Sequence, residues 1–346
     1  MTDIKTGEQT RSYDYYSTKE VQNTMAEIKV CDQTKPKEVE EIKRMAQDSG
    51  LFPGKAIESI TYMPGGPTNR NFKVFIDGKY YAFRIAGEGT AEYLNRPREK
   101  AAVAAVNHLG ISPEFYYYEE ETGSNIARYV YGDVMKKEDF RNRTEVRKHA
   151  ARILRTYHNS GVEMDGIFNP FQEIKTYHQY LKDNKWEKFY PEMEELDKIY
   201  EKIRVVFEKN PPKRVCSHND CLSENFLFDV PNDRMELIDW EYCGMNYYSF
   251  DIAAVVSEND MLEDQEEDFL QYYFEGEPTD RQRAEVLIGK FIMDGLWIPW
   301  ALVQSVTKVD ERDSYWDWGY VRVNRCKKHL SNPKFDYYLQ LLGQTE

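Results

Sequence analysis

The stretch that decides the fold is a polar loop that reads His218-Asn219-Asp220-Cys221-Leu222-Ser223-Glu224-Asn225, with Ile238-Asp239-Trp240-Glu241 shortly after it. Between these segments, residues 226–228 and 235–238 are apolar runs on either side of a turn at 231–233, which predicts two short strands. A hairpin of these strands puts Asn225 at the start of one strand and Asp239 at the end of the other. Asp220, on the preceding loop, would face the same point.

This arrangement has the chemistry that phosphoryl transfer requires. Phosphates need a hard cation with oxygen ligands, which Asn225 and Asp239 can supply to Mg²⁺. An acceptor hydroxyl needs a carboxylate to orient it and take its proton, and Asp220 is the candidate. The spacing His-x-Asp-x4-Asn, followed by an Asp at a strand end, is that of a kinase catalytic loop. The alternative is that these polar residues only cap and turn the backbone.

Composition limits the function classes. The chain has 346 residues, with 46 Lys and Arg against 60 Asp and Glu, a net charge of −14 that argues against a nucleic-acid partner. Its five cysteines form no C-x-x-C pair, which predicts neither zinc nor an oxidising compartment. Residues 1–28 lack the apolar core of a signal peptide. No apolar run approaches the roughly 18 residues of a membrane span. We therefore expect a cytoplasmic protein that does not insert into membranes.

The periodicity of the chain predicts an α+β fold in three parts. Residues 1–50 form an arm and a docking helix that starts at Pro36. Residues 51–132 form a lobe with strands at 57–62, 71–76 and 80–85, a helix at 91–109, and further strands at 115–118 and 125–131. Asp77-Gly78 is a hairpin signal between two of these strands. Residues 133–346 are mainly helical and contain the catalytic loop.

Several residues of the smaller lobe are candidates for binding a nucleotide. The loop Gly65-Gly66-Pro67-Thr68-Asn69 could lay backbone N–H groups against phosphates, although a glycine pair before a strand is more often a plain turn. Arg84 ends a strand, and Glu99 lies in the helix predicted to follow. Kinases hold phosphates with a strand cation that a helix carboxylate positions. The alternative for Arg84 and Glu99 is an ordinary surface ion pair.

Aromatic residues concentrate near the end of the chain. Trp297 and Trp300 are three apart on a predicted helix at 284–309, so both project from one face. Trp316 and Trp318 follow in the next segment. Such rings build a core, or they form a box for a quaternary ammonium group by cation–π attraction. Sequence physics leaves both readings open. Two readings also remain for Asp251, which either caps the helix that follows it or braces the catalytic loop.

These motifs together resemble the choline/ethanolamine kinase branch of the aminoglycoside phosphotransferase-like kinases. The resemblance covers about residues 57–330 and is carried by five segments: 218–225 with 238–242, Asn246-Tyr247 through Asp251-Ile252, Gly65 through Phe72, Trp297-Ile298-Pro299-Trp300, and Asp317 through Arg322. The last segment has Trp318 where this branch usually has a Tyr. Bacterial choline kinases are the members that the chain resembles most.

The resemblance implies a bilobal protein kinase-like fold, with a small antiparallel-sheet N-lobe and a larger helical C-lobe, and ATP and Mg²⁺ as cofactors. It implies that Asp220 orients the hydroxyl of choline, that Asn225 and Asp239 hold the metal, and that Arg84, paired with Glu99, meets the phosphates. The residues implied to cage or attract the trimethylammonium group are Tyr247, Trp297, Trp300, Trp318 and Glu241.

Alternatives remain for the acceptor and for the class of protein. Ethanolamine, thiamine or an aminoglycoside could replace choline as the small-molecule substrate. The chain could also be a non-catalytic module that only holds choline or nucleotide, although Asp220, Asn225 and Asp239 are all present. The sequence does not indicate an oligomeric state.

Overall fold

The computed structural model describes residues 28–65, 69–87, 96–164 and 166–344. The chain divides into two units, Met1–Gly87 and Glu88–Glu346. This division falls earlier in the chain than the lobe boundary expected near residue 132, and the three-part domain assignment stays a prediction.

The described residues of the first unit form a mainly antiparallel sheet and a helix. The strands are β1 (Lys29–Val30), β2 (Ile57–Met63), β3 (Arg70–Ile76) and β4 (Lys79–Ile85), and the helix is α1 (Pro36–Asp48). Strands β2, β3 and β4 pair in antiparallel order, and the short β1 adds to β2 in parallel. Asp77 and Gly78 have φ angles of 50° and 77°, as the predicted tight hairpin requires. The strand and helix predictions for residues 36–85 are thus confirmed.

A buried ion pair fastens α1 to the sheet. Pro36 starts the helix, and the Glu38 carboxylate accepts the Lys35 backbone N–H at 2.7 Å. Glu38 is buried and pairs with Arg70 of β3, whose guanidinium lies 3.9 Å from the Tyr62 ring centroid. The helix is therefore held to β2 and β3 by charge and by stacking as well as by its apolar face.

The second unit contains most of the helices. Its first half comprises α2 (Arg96–Asn107), β5 (Phe115–Tyr118), β6 (Asn125–Arg128), β7 (Asp133–Val134), α3 (Lys137–Asn142), α4 (Thr144–His158), α5 (Pro170–Asp183) and α6 (Met193–Lys209). Its second half comprises β8 (Arg214–Ser217), β9 (Phe226–Asp229), β10 (Arg234–Leu237), β11 (Gly244–Tyr247), α7 (Tyr248–Glu258), α8 (Glu263–Phe274), α9 (Asp280–Thr307), α10 (Arg312–Leu330) and α11 (Phe335–Leu342). The predicted strand at 125–131 ends earlier, at Arg128, and the start of the helix predicted from 91 lies outside the described residues.

Two small sheets hold the loops of interest. Strands β9 and β10 form the predicted hairpin, with Leu237 opposite Phe226, and β7 pairs with the other edge of β9. Strands β8 and β11 form a second antiparallel pair, with Gly244 opposite Ser217. Residues 218–225 join β8 to β9, and residues 238–243 join β10 to β11. Both connecting segments therefore run between the same two sheets.

Helix α9 is the centre of the helical unit. It packs against α5, α7, α10 and α11. The expectation that no apolar run approaches the length of a membrane span is wrong for α9. An 18-residue window within this helix has a mean hydropathy of 1.6 and meets the length and charge criteria for a membrane span. However, 83% of that window is buried inside the protein. Burial among other helices accounts for the hydropathy of α9, as in the core helix of many folds.

Gly132 marks a close approach of two backbones. A Cβ atom at this position would lie 2.8 Å from the carbonyl carbon of Phe228 and 2.9 Å from the backbone nitrogen of Asp229. Both atoms belong to strand β9, which leads out of the catalytic loop. Strand β9 is paired with β7 and β10, so it could not shift without moving both of them.

We therefore predict that Gly132→Ala lowers the free energy of unfolding by about 1–3 kcal/mol, through overpacking against β9. Chemical denaturation would measure the change. Gly276→Ala is the matched control, since a Cβ there meets no atom within 4 Å and should leave stability nearly unchanged. Equal effects of the two substitutions would contradict the steric explanation.

Candidate active site

A buried carboxylate braces the predicted catalytic loop. Asp251, in the first half of α7, accepts the backbone N–H of His218 at 2.8 Å and that of Asn219 at 2.7 Å. It also accepts the Tyr157 hydroxyl at 2.7 Å and contacts His158 Nε2 at 3.1 Å. Its side chain is fully buried, which alone would raise its pKa, but the hydrogen bonds from His158 and Tyr157 and the charges of His158 and His218 keep the pKa of Asp251 below its usual value. Asp251 is thus a brace for the loop and not a helix cap.

The His218 ring joins the loop to the strand that precedes Asp239. Burial lowers the pKa of His218, so the ring is neutral near pH 7. Nδ1 accepts the backbone N–H of Asp220 at 3.3 Å, and Nε2 donates to the carbonyl of Ile238 at 2.9 Å. The Ile238 N–H donates in turn to the carbonyl of Asn225 at 2.9 Å. Both ends of the loop are therefore tied to the residue next to Asp239.

Two residues near the expected reaction centre have left-handed backbones. Asn219 and Asp239 both have a φ angle of 68°, a conformation that Asn and Asp tolerate better than most residues. Asn219 Nδ2 donates to the carbonyl of Tyr242 at 2.9 Å, and its Oδ1 accepts from Asn246 Nδ2 at 2.7 Å. Backbone strain of this kind often marks functional sites. The sequence analysis missed the roles of Asn219 and Asn246, and the only signal was their type and position beside the loop.

The structure brings Asp220 and Asn225 together. Asn225 Nδ2 donates to the backbone carbonyl of Asp220 at 2.8 Å and lies 3.4 Å from its Oδ2. Burial, followed by the negative charges of Asp239 and Glu258, raises the pKa of the Asp220 carboxyl to about 7. A carboxylate with a pKa near neutrality suits a general base better than an unperturbed one.

The carboxylates around Asp220 form an environment that suits a cation. Asp239 and Glu258 are close enough to Asp220 to raise its pKa, so this region carries negative charge that a cation would offset. Asp239 and the Asn225 amide offer oxygen ligands, which Mg²⁺ prefers. In the described part of the chain, no three His, Cys, Asp or Glu side chains cluster as a metal site. Magnesium held by so few protein ligands would complete its shell with phosphate and water, as is usual for Mg²⁺.

The predicted tryptophans form one aromatic cluster, which we define as Tyr242, Trp297, Trp300, Tyr315 and Trp318. Trp297 and Trp300 lie 5.5 Å apart between ring centroids, nearly perpendicular, and Trp300 lies 5.3 Å from Trp318. Tyr242 contacts Trp297 at 5.7 Å and Tyr315 contacts Trp300 at 5.9 Å. The carbonyl of Tyr242 is the acceptor for Asn219, next to Asp220. The cluster therefore begins at the catalytic loop.

Tyr247 has a different environment from the one expected. Its ring is buried and packs on Phe207 at 5.1 Å, and its hydroxyl accepts from Arg214 Nη2 at 3.3 Å. These contacts support a core role for Tyr247. Tyr242, which the sequence analysis did not select, is the tyrosine beside Trp297. Glu241, the residue before Tyr242 in the chain, is buried.

The candidates for nucleotide binding are distributed over both units. Gly65, Asn69 and Arg84 belong to the first unit, whereas Gly66 and Thr68 lie outside the described residues. Glu99 belongs to α2 of the second unit. Glu99 is buried and accepts a hydrogen bond from Arg96 Nη1 at 2.6 Å. The sequence analysis did not select Arg96 as a candidate. The pairing of Arg84 with Glu99 stays a prediction.

A loop with this spacing of a carboxylate, an amide and a strand-end carboxylate is typical of kinases, which transfer phosphoryl groups. Comparison with known proteins gives the family. Residues 60–289 match the model of the choline/ethanolamine kinase family, and the chain belongs to that family. It is a phosphotransferase of the choline kinase type that acts on an alcohol group.

Relatives with solved structures or curated names agree. The LicA protein of Haemophilus influenzae is 26% identical over 278 residues, which cover 77% of this chain and 78% of that protein. A choline/ethanolamine kinase family protein from Mesorhizobium loti is 29% identical, with a TM-score of 0.72 over 82% of this chain and 92% of that one. Choline kinase LicA from Streptococcus pneumoniae is 27% identical, with a TM-score of 0.69 over 85% and 99%. The expected protein kinase-like fold class is confirmed.

A complex of LicA with AMP bears on the cofactor. That structure is 26% identical to this chain, with a TM-score of 0.66 over 87% of this chain and 98% of that one. Together with membership of a kinase family, it supports the use of a nucleotide by this chain.

We predict that Asp251→Asn lowers the free energy of unfolding by about 3 kcal/mol, because an amide cannot accept both backbone N–H groups with a full negative charge. Thermal and chemical denaturation would measure this. The matched control is Asp280→Asn, an exposed acid in the first turn of α9. A change of under about 0.5 kcal/mol at Asp251, in the range of surface substitutions, would contradict the role of brace.

Proposed function

We propose that this protein phosphorylates the hydroxyl group of choline with ATP, giving phosphocholine and ADP. The aromatic cluster carries the proposal, since its first member is hydrogen-bonded through its backbone to the residue before Asp220. The similarity to LicA proteins, one of them named a choline kinase, supports the same acceptor.

The proposed mechanism uses Asp220 as the base. Asp220 accepts the hydroxyl proton while the choline oxygen forms a bond to the γ-phosphorus, and the bond from that phosphorus to the β–γ bridging oxygen breaks to release ADP. Asn225 and Asp239 are the residues that would hold Mg²⁺. When bound, magnesium would supply positive charge to the phosphates. The nucleotide-facing residues in this proposal are Gly65, Gly66, Thr68, Asn69, Arg84 and Glu99.

The choice of choline follows from the chemistry of its head group. A trimethylammonium group has no N–H to donate, so aromatic faces are its best partners. The primary ammonium of ethanolamine needs hydrogen-bond acceptors instead. In the proposed site, Trp297, Trp300 and Trp318 surround the methyl groups, and Glu241 adds negative potential. Tyr242 takes the place first assigned to Tyr247.

A coupled ADP-release assay tests the proposal. Purified protein with magnesium-ATP would be offered choline, ethanolamine, thiamine and an aminoglycoside in separate reactions. We expect the highest kcat/KM with choline. A higher value with ethanolamine or thiamine would keep the kinase chemistry and reject the choline assignment. Nucleotide binding without turnover of any acceptor would favour a non-catalytic binding module.

We predict that Asp220→Ala lowers kcat at least about 100-fold, because the general base is lost, while ATP still binds. Steady-state kinetics and nucleotide titration would measure the two effects. Asp264→Ala, at an exposed acid of α8, is the control and should leave kcat unchanged. Turnover within a few fold of the wild type in the Asp220 variant would reject it as the base.

We predict that Trp300→Ala raises the KM for choline about tenfold, with little change in the KM for ATP. The substitution removes one ring face from the site and also the ring against which Trp297 and Trp318 pack. Trp316→Ala is the matched control, since its ring packs on Tyr190 outside the aromatic cluster. If both KM values rise together in the Trp300 variant, the ring belongs to the core and not to the choline site.

A further inference from the structure

A buried arginine lies against the aromatic cluster. The guanidinium carbon of Arg322 is 3.8 Å from the centroid of the Trp318 ring, four residues earlier on α10. Arg322 is only 3% exposed. A cation at this distance from an indole face is in strong cation–π contact, and burial strengthens it. One face of Trp318 is therefore already covered by a cation from the protein.

Two carboxylates hold the guanidinium in place. Arg322 Nη2 donates to Glu258 at 2.7 Å, and Nε lies 3.9 Å from Asp294. Glu258 ends α7 and Asp294 lies in the middle of α9, so the cation joins three helices. Both carboxylates are buried, and such pairs hold a defined geometry because breaking them strands a charge.

Arg322 and its partner Glu258 are linked to the catalytic loop in two ways, through ring contacts and through charge. Trp318 contacts Trp300, which leads through Trp297 to Tyr242 and the loop. Separately, the charge of Glu258 reaches Asp220 strongly enough to raise its pKa. The Arg322 and Glu258 pair is therefore linked both to the rings proposed for the ammonium group and to the proposed base.

We infer that Arg322 is a positioning residue for the acceptor site, which holds the Trp318 ring against Trp300 by stacking on its far face. The inference rests on the proposed function. It changes the role assigned to Trp318, because the face under the guanidinium belongs to Arg322 and only the remainder of the ring serves the acceptor. Glu258 and Asp294 act through Arg322 by keeping it in place.

Arg322→Lys is the informative substitution, since it keeps the charge beside Glu258 and loses the planar group that stacks on the indole. We expect the KM for choline to rise about five- to tenfold. The kcat and the KM for ATP should stay within about twofold of the wild type, because the catalytic loop keeps its own brace at Asp251. Lys188→Met is the control, since Lys188 lies 4.0 Å from the ring of Trp316, outside the aromatic cluster.

A double-mutant cycle with Trp318→Leu shows whether Arg322 acts through this ring. On the Trp318→Leu background, Arg322→Lys should cause no further rise in the KM for choline. Additive effects of the two substitutions, an unchanged KM in Arg322→Lys, or equal rises in the KM for choline and ATP would each overturn the inference. If Arg322→Lys does not fold, Arg322→Met enters the same cycle, because Arg325 Nη1 still lies 3.3 Å from Glu258 and 3.6 Å from Asp294 and keeps both carboxylates paired.

The wild type separates this inference from the proposed function. If it phosphorylates another acceptor better than choline, the choline assignment fails, and the cycle is run with that acceptor. Coupling between Arg322 and Trp318 in the KM for that acceptor would still support the inference, and its absence would overturn it.

Discussion

The pairing of the Asp251 carboxylate with two consecutive backbone N–H groups is the constraint on which the rest of the site depends. A loop that turns through a left-handed residue at Asn219 cannot satisfy its own N–H groups in a strand ladder. Asp251 accepts them instead, and its charge makes each bond stronger than one to a neutral acceptor. The direction of the Asp220 side chain follows from this turn.

The other contacts of the loop extend the same constraint. The neutral ring of His218 accepts from the Asp220 backbone N–H and donates to the Ile238 carbonyl, so the proposed base keeps a fixed position relative to the strand end at Asp239. Asn219 reaches across to Tyr242, where the aromatic cluster begins. Helices α7, α9 and α10 therefore contribute to one site through a few specific bonds: α7 provides the brace, and α9 and α10 provide the rings. In the proposed mechanism, phosphoryl transfer and recognition of the acceptor therefore depend on the same set of contacts.

Much of this arrangement could be predicted from sequence. The spacing of His218, Asp220 and Asn225 between apolar runs indicated the loop and the β9–β10 hairpin, because turn residues and short apolar strands leave strong local signals. Helical spacing placed Trp297 and Trp300 on one face of α9. The sequence could not choose between core and binding site for these rings, because periodicity gives a face and not the residues that pack against it.

The features that were missed depend on contacts between distant segments. Arg322 stacks on Trp318 within α10, but its partners Glu258 and Asp294 come from other helices. Tyr242 lies in the segment before β11 and Tyr247 is the last residue of that strand, and the packing of Tyr247 against Phe207 of α6 is not visible in the sequence. The hydropathy of α9 was underestimated because polar residues interrupt its apolar runs.

Identification of the product by ³¹P NMR tests the central claim most directly. The wild-type protein would be incubated with magnesium-ATP and choline, and the spectrum compared with authentic phosphocholine. The account predicts that the γ-phosphorus signal of ATP is lost and that a phosphocholine signal grows in equal amount with ADP. ADP and inorganic phosphate as the only new signals, or an unchanged ATP spectrum, would contradict it.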